Sequence, residues 1–286
     1  MTTETIGGFA DVSARTEVGF ELKGERSQLG PLLADLWRSR DLTRLLAKRE
    51  FLVNYRRASF GVLWAIGLPL AQALIVGLTL SRVVRFETKG GYALFVFAGT
   101  LPWTFFNGAL TVATNSIVIG SELATRVYFP RAVLPIVTVL SALRGFIPSV
   151  AVLIGLAAIF RAPLGLDLFL LIPATVLMVT LTAGFSLVLA ALQVYFRDMK
   201  FIVAASTLPW FWASGAIFPL DKLGSMRHWL ELNPVVGMIE FYRASLGTAS
   251  AGWGRSVWIC AAWAVGLIAL SLPLYRRYDR VFVDLL

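Results

Sequence analysis

Long uncharged runs alternate with short charged interruptions along this chain. Residues 60–81 carry no charge, nor do residues 90–121, and a third such run covers 132–143. A helix of about 22 residues rises about 33 Å, enough to cross a hydrocarbon core of about 30 Å. The pattern predicts six spans, at 60–81, 92–119, 132–160, 168–196, 201–220 and 256–275, with a break or kink near Pro102. Between the last two, the apolar runs are too short to cross: 232–239 is stopped by Glu240, and the run from Ala244 by Gly247 and Gly252. Such lengths suit re-entrant or interfacial helices, with Asn233-Pro234 marking the break between them.

Ahead of the first span the periodicity changes. Leu29, Leu32, Leu33, Leu36, Trp37, Leu42, Leu45 and Leu46 recur at helical spacing between Arg38, Arg40, Arg44, Lys48 and Arg49. This is a basic amphipathic helix suited to the headgroup plane, with leucines and Trp37 inward and arginines toward anionic lipid. Residues 1–28 have no apolar segment, which excludes a cleaved signal and predicts a cytoplasmic tail. The expected organisation is therefore a tail at 1–28, an amphipathic helix at 29–57 and a six-span body at 58–286. The fold class is an all-α integral membrane protein, with an amphipathic interface helix and re-entrant helices before the sixth span.

Composition agrees. The chain is 57% hydrophobic and 15% charged with mean hydropathy +0.74, against about 25% charged in soluble domains. Its net charge of +9 is spread through tails and loops rather than gathered on one face, which argues against nucleic acid. Six spans put both termini on one side, and 17 lysines and arginines fall on that side against 8 on the other. The positive-inside rule makes the termini cytoplasmic. Cys260, in an apolar span, is the single cysteine, so no intrachain disulfide is possible, and His228 has no second ligand at metal-binding spacing.

Three features carry candidate chemistry. The cytoplasmic loop SELATRVYFPRAVLP at 121–135 offers charge in Glu122, Arg126 and Arg131 and an apolar knob in Val127, Tyr128 and Phe129, while Pro130 keeps a helix from running through. It reads either as a topogenic loop or as a docking plug. Arg144 sits in the middle of the third span, where a charge costs roughly 2.5 to 3.5 kcal/mol. It either pairs with a neighbouring backbone carbonyl or hydroxyl, or borders a path for an anionic ligand. In the fifth span, Trp210, Phe211, Trp212 and Phe218 are denser than membrane anchoring requires; they form an interfacial belt or a surface on which sugar rings stack.

Three stretches carry a resemblance. Arg49, Glu50, Phe51, Tyr55, Arg56, Ser59, Gly61, Trp64 and Pro69, within REFLVNYRRASFGVLWAIGLPLAQ, are similar to the start of the first span in permease subunits of type-two ABC exporters, notably those moving lipid-linked polysaccharide such as O-antigen, teichoic acid or galactan. TRVYFPRAVLP resembles their coupling helix, and VYFRDMKFIV with Asn233, Pro234 and Arg243 resembles their fourth loop and re-entrant region. Glu50 stands where the family usually has Asp. The likeness covers residues 29–284. It implies a homodimer paired with two copies of a cytosolic ABC ATPase, whose cleft receives Glu122, Arg126, Val127, Tyr128, Phe129, Pro130 and Arg131. It implies a gate helix bearing Trp37, Arg49, Glu50, Tyr55 and Arg56, and a substrate path along Arg144, Trp210, Phe211, Trp212 and Phe218. The implied substrate is a lipid-linked polysaccharide drawn from the membrane lipid. No cofactor or metal is expected on this chain; ATP and Mg belong to the ATPase, since the sequence has no Gly-x-x-x-x-Gly-Lys loop.

Rival readings are a drug exporter of the same superfamily, a scaffold without transport activity, and an intramembrane enzyme. A protease built on Gly184, Phe185 and Ser186 with His228 has Leu187 where the second glycine is needed, and a sugar transferase has only the scattered Glu87 and Asp167.

Overall fold

The computed structural model describes residues 38–56, 91–120, 129–162 and 165–278, with ten scattered positions between 60 and 79. Trp37, Glu122, Arg126, Val127, Tyr128 and most of the first expected span lie outside the described residues. So do the side chains of Tyr55 and Arg56. Among the described residues every regular element is helical: α1 Arg40–Arg56, α2 Tyr92–Thr114, the single turn α3 Ser116–Ile119, α4 Val133–Ile159, α5 Leu171–Tyr195, α6 Met199–Ala213, α7 Met226–Leu230, α8 Pro234–Ala244 and α9 Trp253–Tyr278. A 3-10 turn, Leu166–Leu170, leads into α5.

The helix α2 is the hub. It packs against α4, α5, α6 and α8, and Leu94, Val96, Ala98 and Phe106 have no exposed surface at all. An apolar helix buried all round belongs in an interior rather than against lipid. The chain runs through Pro102 without ending the helix. Four helices, α2, α4, the stretch Leu166–Tyr195 and α9, are long and apolar enough to cross a membrane. They correspond to the second, third, fourth and sixth expected spans. The charged turn after α5 is closed by Gln193, whose amide nitrogen donates to the Arg197 carbonyl at 3.0 Å and whose oxygen accepts from Lys200 N–H at 2.8 Å.

The fifth expected span is shorter in the structure than its apolar run. The helix α6 has 15 residues, about 22 Å, and only Val203 of it is buried. The chain then leaves the helix and passes Gly215, whose φ of 68° suits glycine. Irregular backbone among apolar neighbours needs its carbonyls satisfied by protein, and three in succession are. Arg243 donates to the Gly215 and Ala216 carbonyls at 2.9 and 2.7 Å. The Tyr92 hydroxyl donates to the Ile217 carbonyl at 2.6 Å.

Arg243 is fully buried. Its guanidinium also meets the Phe95 carbonyl at 3.4 Å and Glu240 Oε1 at 3.0 Å, and lies 3.5 Å from the centroid of the Phe95 ring. The second oxygen of Glu240 accepts from Ser250 N–H at 2.7 Å. Gly99 faces this cluster, and a Cβ there would overlap the Ala216 carbonyl and the guanidinium. The helix α8 that carries the pair is started by Asn233, whose Oδ1 accepts from Val235 N–H at 3.1 Å, with Pro234 in the first turn.

Replacing Arg243 with methionine is expected to cost about 3 to 5 kcal/mol, because it leaves Glu240 buried without its cation and two carbonyls without donors. Arg243→Lys should recover part of that, since one ammonium cannot span all the acceptors. Unfolding titrations of the purified protein in mixed micelles measure both.

Candidate functional site

The amphipathic helix α1 is seated on α4. Leu42, Leu46 and Ala47 pack with Val133, Leu134, Val137 and Leu140 of α4, and Phe129 closes the same cluster from the preceding loop. Arg40, Arg44, Lys48 and Arg49 stay exposed on the other side, interspersed with exposed Leu45, Leu52 and Val53. That is the distribution an interfacial helix needs, apart from the apolar stripe it gives to α4.

Two polar contacts fasten the same pair of helices. Arg144 Nη2 donates to the Arg44 carbonyl at 3.1 Å. Of the two sequence readings of Arg144, this contact is the pairing with a backbone carbonyl on a neighbouring helix. Glu50 hydrogen-bonds the Thr138 hydroxyl; burial holds its carboxyl above the ordinary carboxylate range, and the Thr138 bond partly offsets that.

Of the loop residues expected to form the plug, Phe129, Pro130 and Arg131 are described. Phe129 is 6% exposed and Arg131 8%, and the carbonyls of Pro130 and Arg131 accept from Val133 and Leu134 N–H at 3.0 and 3.1 Å. Phe129 therefore anchors the end of the loop under α1 instead of projecting from it.

Three of the four residues of the expected aromatic path are partly buried and pack against the core. Trp210 stands edge-on to Phe106 at 5.2 Å and to Phe185 at 5.5 Å, and its Nε1 donates to Asn233 Oδ1 at 3.1 Å. Phe211 lies 5.5 Å from Trp103, and Phe218 packs on the same cluster. Trp212, 53% exposed, is the member that reaches the surface. Asn233 also donates to the Ala213 carbonyl at 3.0 Å, tying the end of α6 to the start of α8.

Sequence reasoning missed the structural weight of Glu240 and Arg243. The available signal was an i, i+3 pair of opposite charges inside an otherwise apolar stretch. It also missed Trp103, Phe106 and Phe185 as partners of Trp210, because nothing in a linear pattern says which faces of three helices meet. Among the described residues no cluster of His, Cys, Asp and Glu could hold a metal ion.

A basic amphipathic helix is thus seated against the first turns of a long apolar helix, with further apolar helices and the short buried α8 behind them. Residues 41–246, from α1 through α8, match the family model described as ABC-2 type transporter. The chain belongs to the ABC-2 type transporter family. Among curated relatives of this ABC-2 protein, the O-antigen export system permease protein RfbA of Myxococcus xanthus is 29% identical over 216 residues, covering 74% of this chain and 83% of the relative. Two proteins of the same name from Klebsiella pneumoniae are 26% and 24% identical over 205 residues, each covering 71% of this chain and 79% of its own length. An ABC-2 protein of this kind is the multi-pass membrane component of a transporter, and the helices built around α2 are that component.

Replacing Arg144 with leucine removes the donor to the Arg44 carbonyl while making α4 easier to insert. A hydrogen bond from a charged group contributes about 1.5 to 3 kcal/mol, so amide exchange across residues 44–50 is expected to rise roughly tenfold or more. Exchange in α5 and α9 should not change. Hydrogen-deuterium exchange read by mass spectrometry distinguishes this from unchanged protection in α1.

Proposed function

We propose that this chain is the membrane subunit of an ATP-driven exporter that carries a lipid-linked polysaccharide from the cytoplasmic to the outer side of the inner membrane. It works as a homodimer with two copies of a separate cytosolic ABC ATPase. The polysaccharide assignment follows the three O-antigen export permeases it resembles. The observation that carries the mechanism is the seating of α1 on the loop and span that follow one another at 129–140.

In this reading, closure of the ATPase dimer pushes on the loop bearing Glu122, Arg126, Val127, Tyr128, Phe129, Pro130 and Arg131. The Phe129 ring is wedged between α1 and α4, so the push reaches both helices at once. Arg144 and Glu50 hold α1 to α4 through the Arg44 carbonyl and Thr138. The amphipathic segment 29–57, with Trp37, Arg49, Tyr55 and Arg56 along it, then moves as a lateral gate for a lipid diphosphate glycan. Its exposed arginines suit the diphosphate. Trp212 offers its face to sugar rings along the path, while Trp210, Phe211 and Phe218 hold α6 in place behind it.

The spans at 60–81 and 201–220 bring the total to six, with both termini and the tail at 1–28 in the cytoplasm, which the distribution of basic residues favours. The helices α7 and α8, of 5 and 11 residues, are too short to cross and re-enter from the outer side. ATP and Mg bind the ATPase, whose chemistry this chain has no phosphate loop to supply.

Depleting the protein should trap lipid-linked glycan in the cytoplasmic leaflet, measured by mass analysis of extracted lipid intermediates; an unchanged glycan pool with altered drug tolerance would favour a drug exporter instead. In the reconstituted complex, Trp212→Ala should lower glycan export several-fold at unchanged thermal stability. Trp210→Ala should lower stability as well, by less than the roughly 3 to 5 kcal/mol of a fully buried aromatic, because Trp210 is only partly buried.

A further inference from the structure

Between α1, α2 and α4 lies a cavity of about 230 Å3. Pockets for drug-sized ligands run from about 300 to 1,000 Å3, so this one has room for a single small group and not for a passing polymer. Its walls combine two kinds of surface. Phe51, Phe105 and Phe146 supply rings, the latter two edge-on at 5.2 Å. Glu50, Thr104, Thr138, Ser141 and Ser149 supply oxygens. Among the described residues that line it, none is basic.

The oxygens are biased toward accepting. Thr104 directs its proton to the Thr100 carbonyl at 2.8 Å, and the Thr138 proton is shared between the Leu134 carbonyl at 3.4 Å and Glu50. An ionised Glu50 can only accept. A half-buried carboxylate beside aromatic rings and acceptor hydroxyls is matched by a compact group that brings several donors, because a ligand lacking them would leave those oxygens dehydrated and unpaired. Gly108 lines the groove, and an added Cβ there would meet nothing within 4 Å, so a larger side chain fits at that position. Glu50 and Phe51 are the lining residues that α1 contributes, and they tie the groove to the amphipathic helix.

We propose that the groove between α1, α2 and α4 is a headgroup subsite for a membrane lipid whose head is small and rich in hydrogen-bond donors, a sugar ring or an ammonium, with Glu50 as the acceptor that anchors it. This deepens the exporter reading and rests on its placement of α1 at the membrane surface. The donor-rich head has two possible sources, the sugar of a glycolipid cargo and the amine of a bulk phospholipid.

The full-length chain in complex with its ATPase, placed in phosphatidylcholine nanodiscs doped with either monoglucosyl diacylglycerol or phosphatidylethanolamine, tests this by native mass spectrometry of retained lipid. Wild type is expected to retain one dopant about tenfold over phosphatidylcholine, the worth of one charge-assisted hydrogen bond. Both Glu50→Gln and the groove-filling Gly108→Leu should abolish that preference. Retention of the glucolipid assigns the sugar and retention of phosphatidylethanolamine the ammonium. No preference for either dopant, or a preference that survives either substitution, overturns the subsite. A wild type that shows no preference yet exports glycan normally would sink the subsite and leave the exporter reading standing. A variant-sensitive preference in a protein whose depletion leaves the glycan pool unchanged would do the reverse.

Discussion

A guanidinium in an apolar interior must be surrounded by acceptors, and the surroundings of Arg243 account for much of how this protein is held. Its nitrogens reach the carbonyls of Phe95, Gly215 and Ala216 and one oxygen of Glu240, while the Phe95 ring covers its face. Those acceptors come from α2, from the backbone after α6 and from α8 itself. One side chain therefore joins the central helix α2, the backbone that follows α6 and the buried helix α8. Neutralisation by Glu240 at 3.0 Å makes the cost of burial bearable, and Ser250 N–H occupies the other carboxylate oxygen. A pair of this kind contributes less net stability than well-packed apolar residues would, but it selects one arrangement of backbone.

The two ends of the molecule are built on different physics. At the Arg243 end, contacts are buried and specific, and Tyr92 and Asn233 add further side-chain bonds to backbone carbonyls. At the α1 end, the attachment to α4 is a thin apolar cluster with two polar fasteners, and one face of α1 remains exposed. Elements with few buried contacts open at lower free energy.

Much of the fold was legible in the chain. Spans two, three, four and six follow from runs of uncharged residues longer than the hydrocarbon core is thick, and the amphipathic helix from leucines spaced along a basic segment. Both are local consequences of what lipid and water tolerate. The short helix α6 was not legible as such: its apolar run continues to Leu220, and hydropathy cannot tell a helix from buried coil whose carbonyls are satisfied by distant side chains. The seat of Phe129 was not legible either, because the helix residues that cover it, Leu42, Leu46 and Ala47, are far from it in sequence.

By itself, then, the sequence determined the membrane class, the positions of most spans, the interfacial helix and the family likeness, since each depends on composition and periodicity within a continuous segment. Only the tertiary structure decided that Arg144 bonds the Arg44 carbonyl 100 residues away, that Trp210 packs against Phe106 and Phe185 while Trp212 is exposed, and that Arg243 carries the turn after α6. Each of these depends on which helix faces meet, and contacts between segments far apart in sequence leave no period or spacing to read.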